Sequence, residues 1–79
     1  MDITAKQIRM ARAGLKLSQK ALAEGAGINR DTLSAIEAGG TPYASTVSVV
    51  VDHLKSLGAE FGADGWVRVE GHIVDEDES

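Results

Sequence analysis

Few residue types in this 79-residue chain could perform catalysis or hold a metal ion. The chain has no cysteine, which excludes disulfides and thiolate zinc sites. Its two histidines, His53 and His72, are well separated in sequence and lie in unlike contexts. Because no cluster of histidine, cysteine and carboxylate residues converges, an enzyme is the weakest interpretation. We therefore expect no catalytic residues, no metal and no cofactor, and a function based on binding.

Charge is distributed unevenly along the chain, whose net charge is −4. Residues 1–43 contain six basic and four acidic residues, whereas residues 44–79 contain two basic and eight acidic ones. The first part could therefore face a polyanion, which the second part would repel. The acidic run Asp75–Glu78 is interpreted as a solvated tail. No apolar run approaches the length of a membrane span and no signal sequence is recognisable, so we expect a cytoplasmic protein.

Capping residues mark all four predicted helices, and Ser45 or Thr46 is the candidate for the fourth. Thr4–Gln7 reads as a capping box, in which the threonine hydroxyl and the glutamine side chain each satisfy a backbone N–H. Ser18 and Asn29 are N-cap candidates for the second and third helices. Gly14 is expected to end the first helix in the left-handed conformation.

The second half of the chain is predicted to form a fourth helix and then a short β-hairpin. Although the valines of residues 46–51 would suit a strand, apolar residues continue at helical spacing to Leu57, which favours a helix. Residues 60–61 and 66–69 flank the turn Ala63-Asp64-Gly65, which is typical of a hairpin. Because an isolated hairpin is weak, it must pack on the helices or pair with another chain. The expected fold is therefore mainly α.

The most specific pattern in the sequence is carried by five positions: Gln19, Ala23, Gly27, Leu33 and Ile36. The glycine tolerates the positive φ of a tight turn, and the alanine lets two short helices approach closely. The last two residues are apolar where the helix pair meets the core. This spacing describes a helix-turn-helix, whose second helix, Arg30–Ala38, can lie in the DNA major groove. The alternative is an ordinary helical hairpin in a small bundle.

Further stretches complete this pattern: Ile8–Arg12, Leu15–Gln19, Leu22-Ala23, Ala26–Ile28, Leu33, Ile36–Gly39 and Pro42. Together they resemble the Cro/cI-type helix-turn-helix family, also described as the XRE or lambda-repressor-like DNA-binding domains. The resemblance covers about Ile3 to Phe61, and residues 62–79 depart from the five-helix repressor form. It implies a transcription regulator built as a four-helix domain with a C-terminal hairpin.

The resemblance also implies how DNA would be contacted. The start of the second helix would hold phosphate, because its N–H groups and dipole favour an anion. Arg30 would read a guanine in bidentate fashion. Asp31 has two open roles, since it could accept from cytosine N4 or complement the dipole of its own helix, and we favour the second. The expected DNA-binding residues are Gln19, Lys20, Asn29, Arg30, Asp31, Thr32, Ser34, Ala35, Thr41 and Tyr43.

Two residues of the family pattern are given a structural role. The resemblance implies a partly buried salt bridge between Arg12 and Glu37, and both are therefore excluded from the binding site. The remaining basic residues Lys6, Arg9 and Lys16 are interpreted as a solvated face.

A homodimer is expected because one such module makes few base contacts, whereas two read two half-sites. The predicted function is repression at a palindromic operator in double-stranded DNA by residues 1–58, with the hairpin of residues 59–74 as dimerisation element and residues 75–79 as tail. One alternative is an antitoxin-type interaction protein whose acidic C-terminal segment binds a protein partner. Another is a controller protein of a restriction–modification system. The expected interface residues are Phe61, Trp66, Val67, Val69 and Ile73.

Overall fold

The computed structural model describes residues 3–40 and 44–74 of the chain. Four helices are followed by three short strands, so the predicted mainly helical fold is confirmed. Among these residues, no helix combines the length and the apolar character that crossing a membrane requires. The elements are α1 (Ala5–Gly14), α2 (Gln19–Ala26), α3 (Arg30–Glu37), α4 (Ala44–Ser56), β1 (Ala59–Phe61), β2 (Val67–Val69) and β3 (His72–Val74).

Side-chain hydrogen bonds begin the first three helices at the predicted residues. Thr4 Oγ1 accepts from the Gln7 backbone N–H at 3.1 Å, and Gln7 Oε1 accepts from the Thr4 N–H at 3.0 Å, which completes the capping box. Ser18 caps α2 by accepting from the Ala21 N–H, and Asn29 caps α3 by accepting from the Asp31 N–H. The caps predicted for α1, α2 and α3 are confirmed, whereas the cap predicted at Ser45 or Thr46 is wrong, because α4 already includes both residues and begins at Ala44.

The amide of Gln7 also ties α1 to the sheet. The residue is 2% exposed, and its Nε2 donates to the carbonyl oxygens of Gly62 at 2.9 Å and Trp66 at 3.2 Å. These two carbonyls flank the turn between β1 and β2. A buried amide thus finds partners on both of its polar atoms, and the turn is fixed to the start of α1.

The end of α1 differs from the prediction. Gly14 is the last helical residue, and the left-handed conformation is adopted by Lys16, whose φ is 59°. A β carbon at Gly14 would lie 2.6 Å from Cγ2 of Val74. The glycine is therefore needed for the close approach of β3 to α1, and its predicted role as a cap is wrong.

The predicted hairpin is present, but the sheet has one strand more. β1 and β2 pair antiparallel around the 62–66 turn, and β2 pairs antiparallel with β3, giving the order β1-β2-β3. The loop between β2 and β3 is Glu70-Gly71, with φ values of 52° and 86°. Two positive φ values suit a tight two-residue hairpin, but glutamate seldom adopts one. The sequence therefore carries no clear sign of β3.

The two faces of the sheet have different surroundings. Val67 and Val69 are 0% and 1% exposed and belong to the same core as the buried residues of the helices, against which Phe61 also packs. The predicted interface is corrected here, because the two valines face the protomer core and are not available to a second chain. Trp66 and Ile73 remain exposed, at 37% and 57%.

Candidate nucleic-acid interface

The α2–turn–α3 unit has the geometry that the glycine spacing predicts. Gly27 ends α2 with a φ of 74°, and the Ile28 N–H donates to the Ala23 carbonyl oxygen at 2.9 Å. This bonding closes the turn in the manner of a left-handed helix cap. Leu33 and Ile36 are 0% and 2% exposed, so the inner face of α3 is seated firmly on the core.

The opposite side of α3 is open to solvent. Four exposed residues form what we call the outer face of α3. They are two pairs whose members lie one turn apart: Arg30 with Ser34, and Asp31 with Ala35. The predicted outward placement of these residues agrees with the structure. Thr32, which was also expected at the interface, is half-buried. Contact of any of them with DNA stays a prediction.

Two other expected DNA-binding side chains are engaged within the protein. Gln19 is half-buried, and its Nε2 donates to Oε1 of Glu37 at 3.2 Å. Asn29 is exposed, but its Oδ1 accepts from the Asp31 N–H at 2.7 Å as the cap of α3. Both amides therefore have structural tasks. The exposed Lys20 stays available at the start of α2. Thr41 and Tyr43 lie outside the described residues.

The predicted pair of Arg12 and Glu37 is confirmed and is bidentate. Arg12 Nε lies 2.8 Å from Glu37 Oε2, and Arg12 Nη2 donates to Glu37 Oε1 at 3.0 Å. The arginine also donates to the carbonyl oxygen of Leu17 at 3.1 Å. Glu37 is 3% exposed. Through this one carboxylate, α1, the start of α2 and the end of α3 are held in a fixed arrangement.

Arg9 has a role that the sequence analysis missed. Its guanidinium donates to the backbone carbonyl oxygen of Glu37, the last residue of α3, and it is half-buried rather than part of a solvated face. A cation at that position satisfies a terminal carbonyl and complements the helix dipole. The spacing of Arg9 and Arg12, three residues apart on one face of α1, could have indicated it.

Comparison with known proteins agrees with this geometry. A family model described as helix-turn-helix, of the XRE or Cro/cI-like type, matches residues 8–57, which include most of α1 and all of α2, α3 and α4. No curated protein matches the chain. The family comprises DNA-binding regulator domains. The matched region spans more than half of the chain, and the chain therefore belongs to the XRE-type helix-turn-helix family of DNA-binding transcription regulators.

Proposed function

We propose that this chain is a homodimeric repressor that occupies a palindromic operator with α3 in the major groove. The observation that carries the proposal is the two-sided character of α3. Its inner face is buried through Leu33 and Ile36, its end is held through Glu37, and its outer face presents hydrogen-bonding side chains to solvent. A rigid helix of this kind can bring a few side chains to base edges.

The proposed contacts divide into bases and phosphates. Arg30, Asp31, Ser34 and Ala35 read bases, while Lys20 and the N–H groups that begin α2 hold phosphate. Gln19 and Asn29 contribute by fixing the two helices. Thr41 and Tyr43 hold phosphate after α3, with packing of Tyr43 against α4 as the alternative, and Thr32 belongs to the same interface.

A second copy of the chain is proposed to bind at β3. This strand forms one edge of the sheet, and no described strand pairs with its outer side. Ile73, at its centre, is the most exposed of the large apolar residues in the described part of the chain. An open groove of about 700 Å³ beside it is lined by Met10 and Trp66, among others. Apolar side chains next to a free strand edge favour association of two sheets.

Selection from randomised duplex oligonucleotides tests the proposed function. The wild-type chain should enrich an inverted repeat with half-sites one helical turn apart, and its affinity should fall as salt rises. Arg30→Ala should lose the enrichment at the guanine position. Lys55→Ala is the matched control, because it removes an exposed cation from α4, and it should enrich the wild-type word. Failure of the wild type to enrich any word would overturn the proposal.

A further inference from the structure

Asp31 is the only acidic side chain on the outer face of α3. It occupies the second position of the helix and is exposed. The other acidic residue of α3, Glu37, is buried and paired with Arg12. This face is proposed to enter the major groove, where a carboxylate is repelled by the phosphates. The presence of Asp31 there therefore requires a favourable contact that offsets this repulsion.

Capping of α3 does not require this carboxylate. Asn29 Oδ1 already accepts the N–H of Asp31 itself, and the predicted role of Asn29 as cap is confirmed. No side chain in residues 3–40 or 44–74 donates a hydrogen bond to the Asp31 carboxylate or forms an ion pair with it. The neighbouring Arg30, although opposite in charge, does not neutralise it. The carboxylate is therefore presented without a protein partner.

A carboxylate can only accept hydrogen bonds, which restricts the base edges it can meet. In the major groove, guanine presents two acceptors and thymine presents an acceptor beside its methyl group, so neither can pair with it. Adenine offers a donor next to an acceptor. Cytosine N4 offers a donor that glutamate and aspartate side chains accept from. Burial against guanine or thymine would leave the charge unpaired. The adenine donor lies beside the N7 acceptor, which repels a carboxylate, so cytosine is the better partner.

We propose that Asp31 is a specificity-determining residue that requires a cytosine at one position of each half-site. The proposal rests on the proposed function, because it assigns a base to one residue of the outer face of α3. It reverses the preference drawn from the sequence, which assigned Asp31 mainly to the helix dipole. A good side-chain–base pair of this kind corresponds to about 5- to 140-fold discrimination against the wrong base.

The proposal is tested in two steps. Oligonucleotide selection identifies the enriched DNA sequence, and fluorescence anisotropy then measures the affinity for that sequence and its single-base variants. Wild type should prefer cytosine at one half-site position within that range. Asp31→Asn should shift the preference there to adenine, because asparagine pairs with adenine N6 and N7. Asp31→Ala should accept all four bases at that position and keep the rest of the word. Glu24→Ala, which removes an exposed carboxylate from α2, is the matched control and should keep the cytosine.

The outcomes separate this proposal from the one on which it rests. If Asp31→Asn and Asp31→Ala both select the same DNA sequence as wild type, the role of Asp31 is overturned and the proposed function still stands. The same holds if both variants only melt at a lower temperature, as a role in the helix dipole alone predicts. A wild-type chain that enriches no word would overturn both.

Discussion

The carboxylate of Glu37 lies buried at the end of α3 and accepts hydrogen bonds from Arg12 of α1 and Gln19 of α2. Its backbone carbonyl accepts from Arg9. Four hydrogen bonds at one residue thus fix the helix that is proposed to read bases. The geometry of the outer face of α3 therefore depends on a buried side chain in the last turn of the same helix.

Glu37→Ala should lower the free energy of unfolding by about 3 kcal/mol, because Arg12 and Gln19 lose their acceptor while 77% of the arginine side chain stays buried. For a domain of this size the melting temperature should fall by about 12–24 °C. Thermal unfolding followed by circular dichroism measures both quantities.

Glu60→Ala is the matched control for this substitution. Glu60 pairs with Arg68 at 3.0 Å on the solvent face of the sheet, where the two side chains are 56% and 41% exposed. Loss of such a surface pair should cost less than about 1 kcal/mol. Equal melting temperatures for the two variants would contradict the role assigned to Glu37.

At the same scale, the sequence predicts which residues matter better than it predicts their partners. The Arg12–Glu37 pair followed from the family resemblance. The amides of Gln19 and Asn29 were assigned to DNA, whereas the structure gives both of them partners within the protein. An amide side chain serves whichever acceptor or donor lies near it, and for Gln19 that partner is brought close only by the packing of α2 against the end of α3.

At the scale of elements, the starts of α1, α2 and α3 could be predicted because a cap is a local interaction over two or three residues. The turn at Gly27 could be predicted for the same reason. The third strand could not, since it depends on Glu70 adopting a positive φ. The sequence also could not predict which face of the sheet packs on the helices. Alternation puts Val67 and Val69 on one side, but it does not indicate which side α1 covers.

Gly14→Ala is the prediction that tests the contact between α1 and β3. Alanine is the better helix former by about 1 kcal/mol, but its β carbon would collide with Val74 at 2.6 Å. Overpacking should dominate, and the variant should lose about 1–3 kcal/mol of stability in urea unfolding. In a Val74→Ala background the shortest contact is removed and only the 3.1 Å approach to Cγ2 of Val69 remains, so the same substitution should cost clearly less. An identical effect in both backgrounds would refute the contact.

On the scale of the whole molecule, the helices and the sheet differ in surface charge. The helices α1 to α3 and their connections carry four exposed cations, Lys6, Lys16, Lys20 and Arg30, against exposed Glu24 and Asp31, whereas Glu60, Asp64 and Glu70 are exposed on the sheet. The acidic sheet is repelled by DNA, which favours an orientation with the sheet away from the duplex. If a second protomer bound at the sheet, the outer face of α3 would stay accessible in both protomers.

Truncation before Gly62 is unsuited to testing the dimer, because it removes Val67, Val69 and Val74 from the protomer core. Ile73→Lys is the sharper variant. Lysine on an edge strand opposes pairing with another strand, and Ile73 is 57% exposed, so the fold should persist. In sedimentation velocity the wild type should be a dimer and Ile73→Lys a monomer that binds the palindromic operator at least about tenfold more weakly, since each protomer then engages one half-site.

Val49→Lys introduces the same charge at a residue that is 44% exposed on α4, and it should remain dimeric. A dimeric Ile73→Lys together with a monomeric Val49→Lys would move the interface to α4, the other described surface with exposed large apolar residues. A wild type that stays monomeric at every concentration would contradict the homodimer. Unchanged far-UV circular dichroism spectra in both variants would show that the fold persists, whereas a monomeric variant should melt at a lower temperature because association stabilises the folded state.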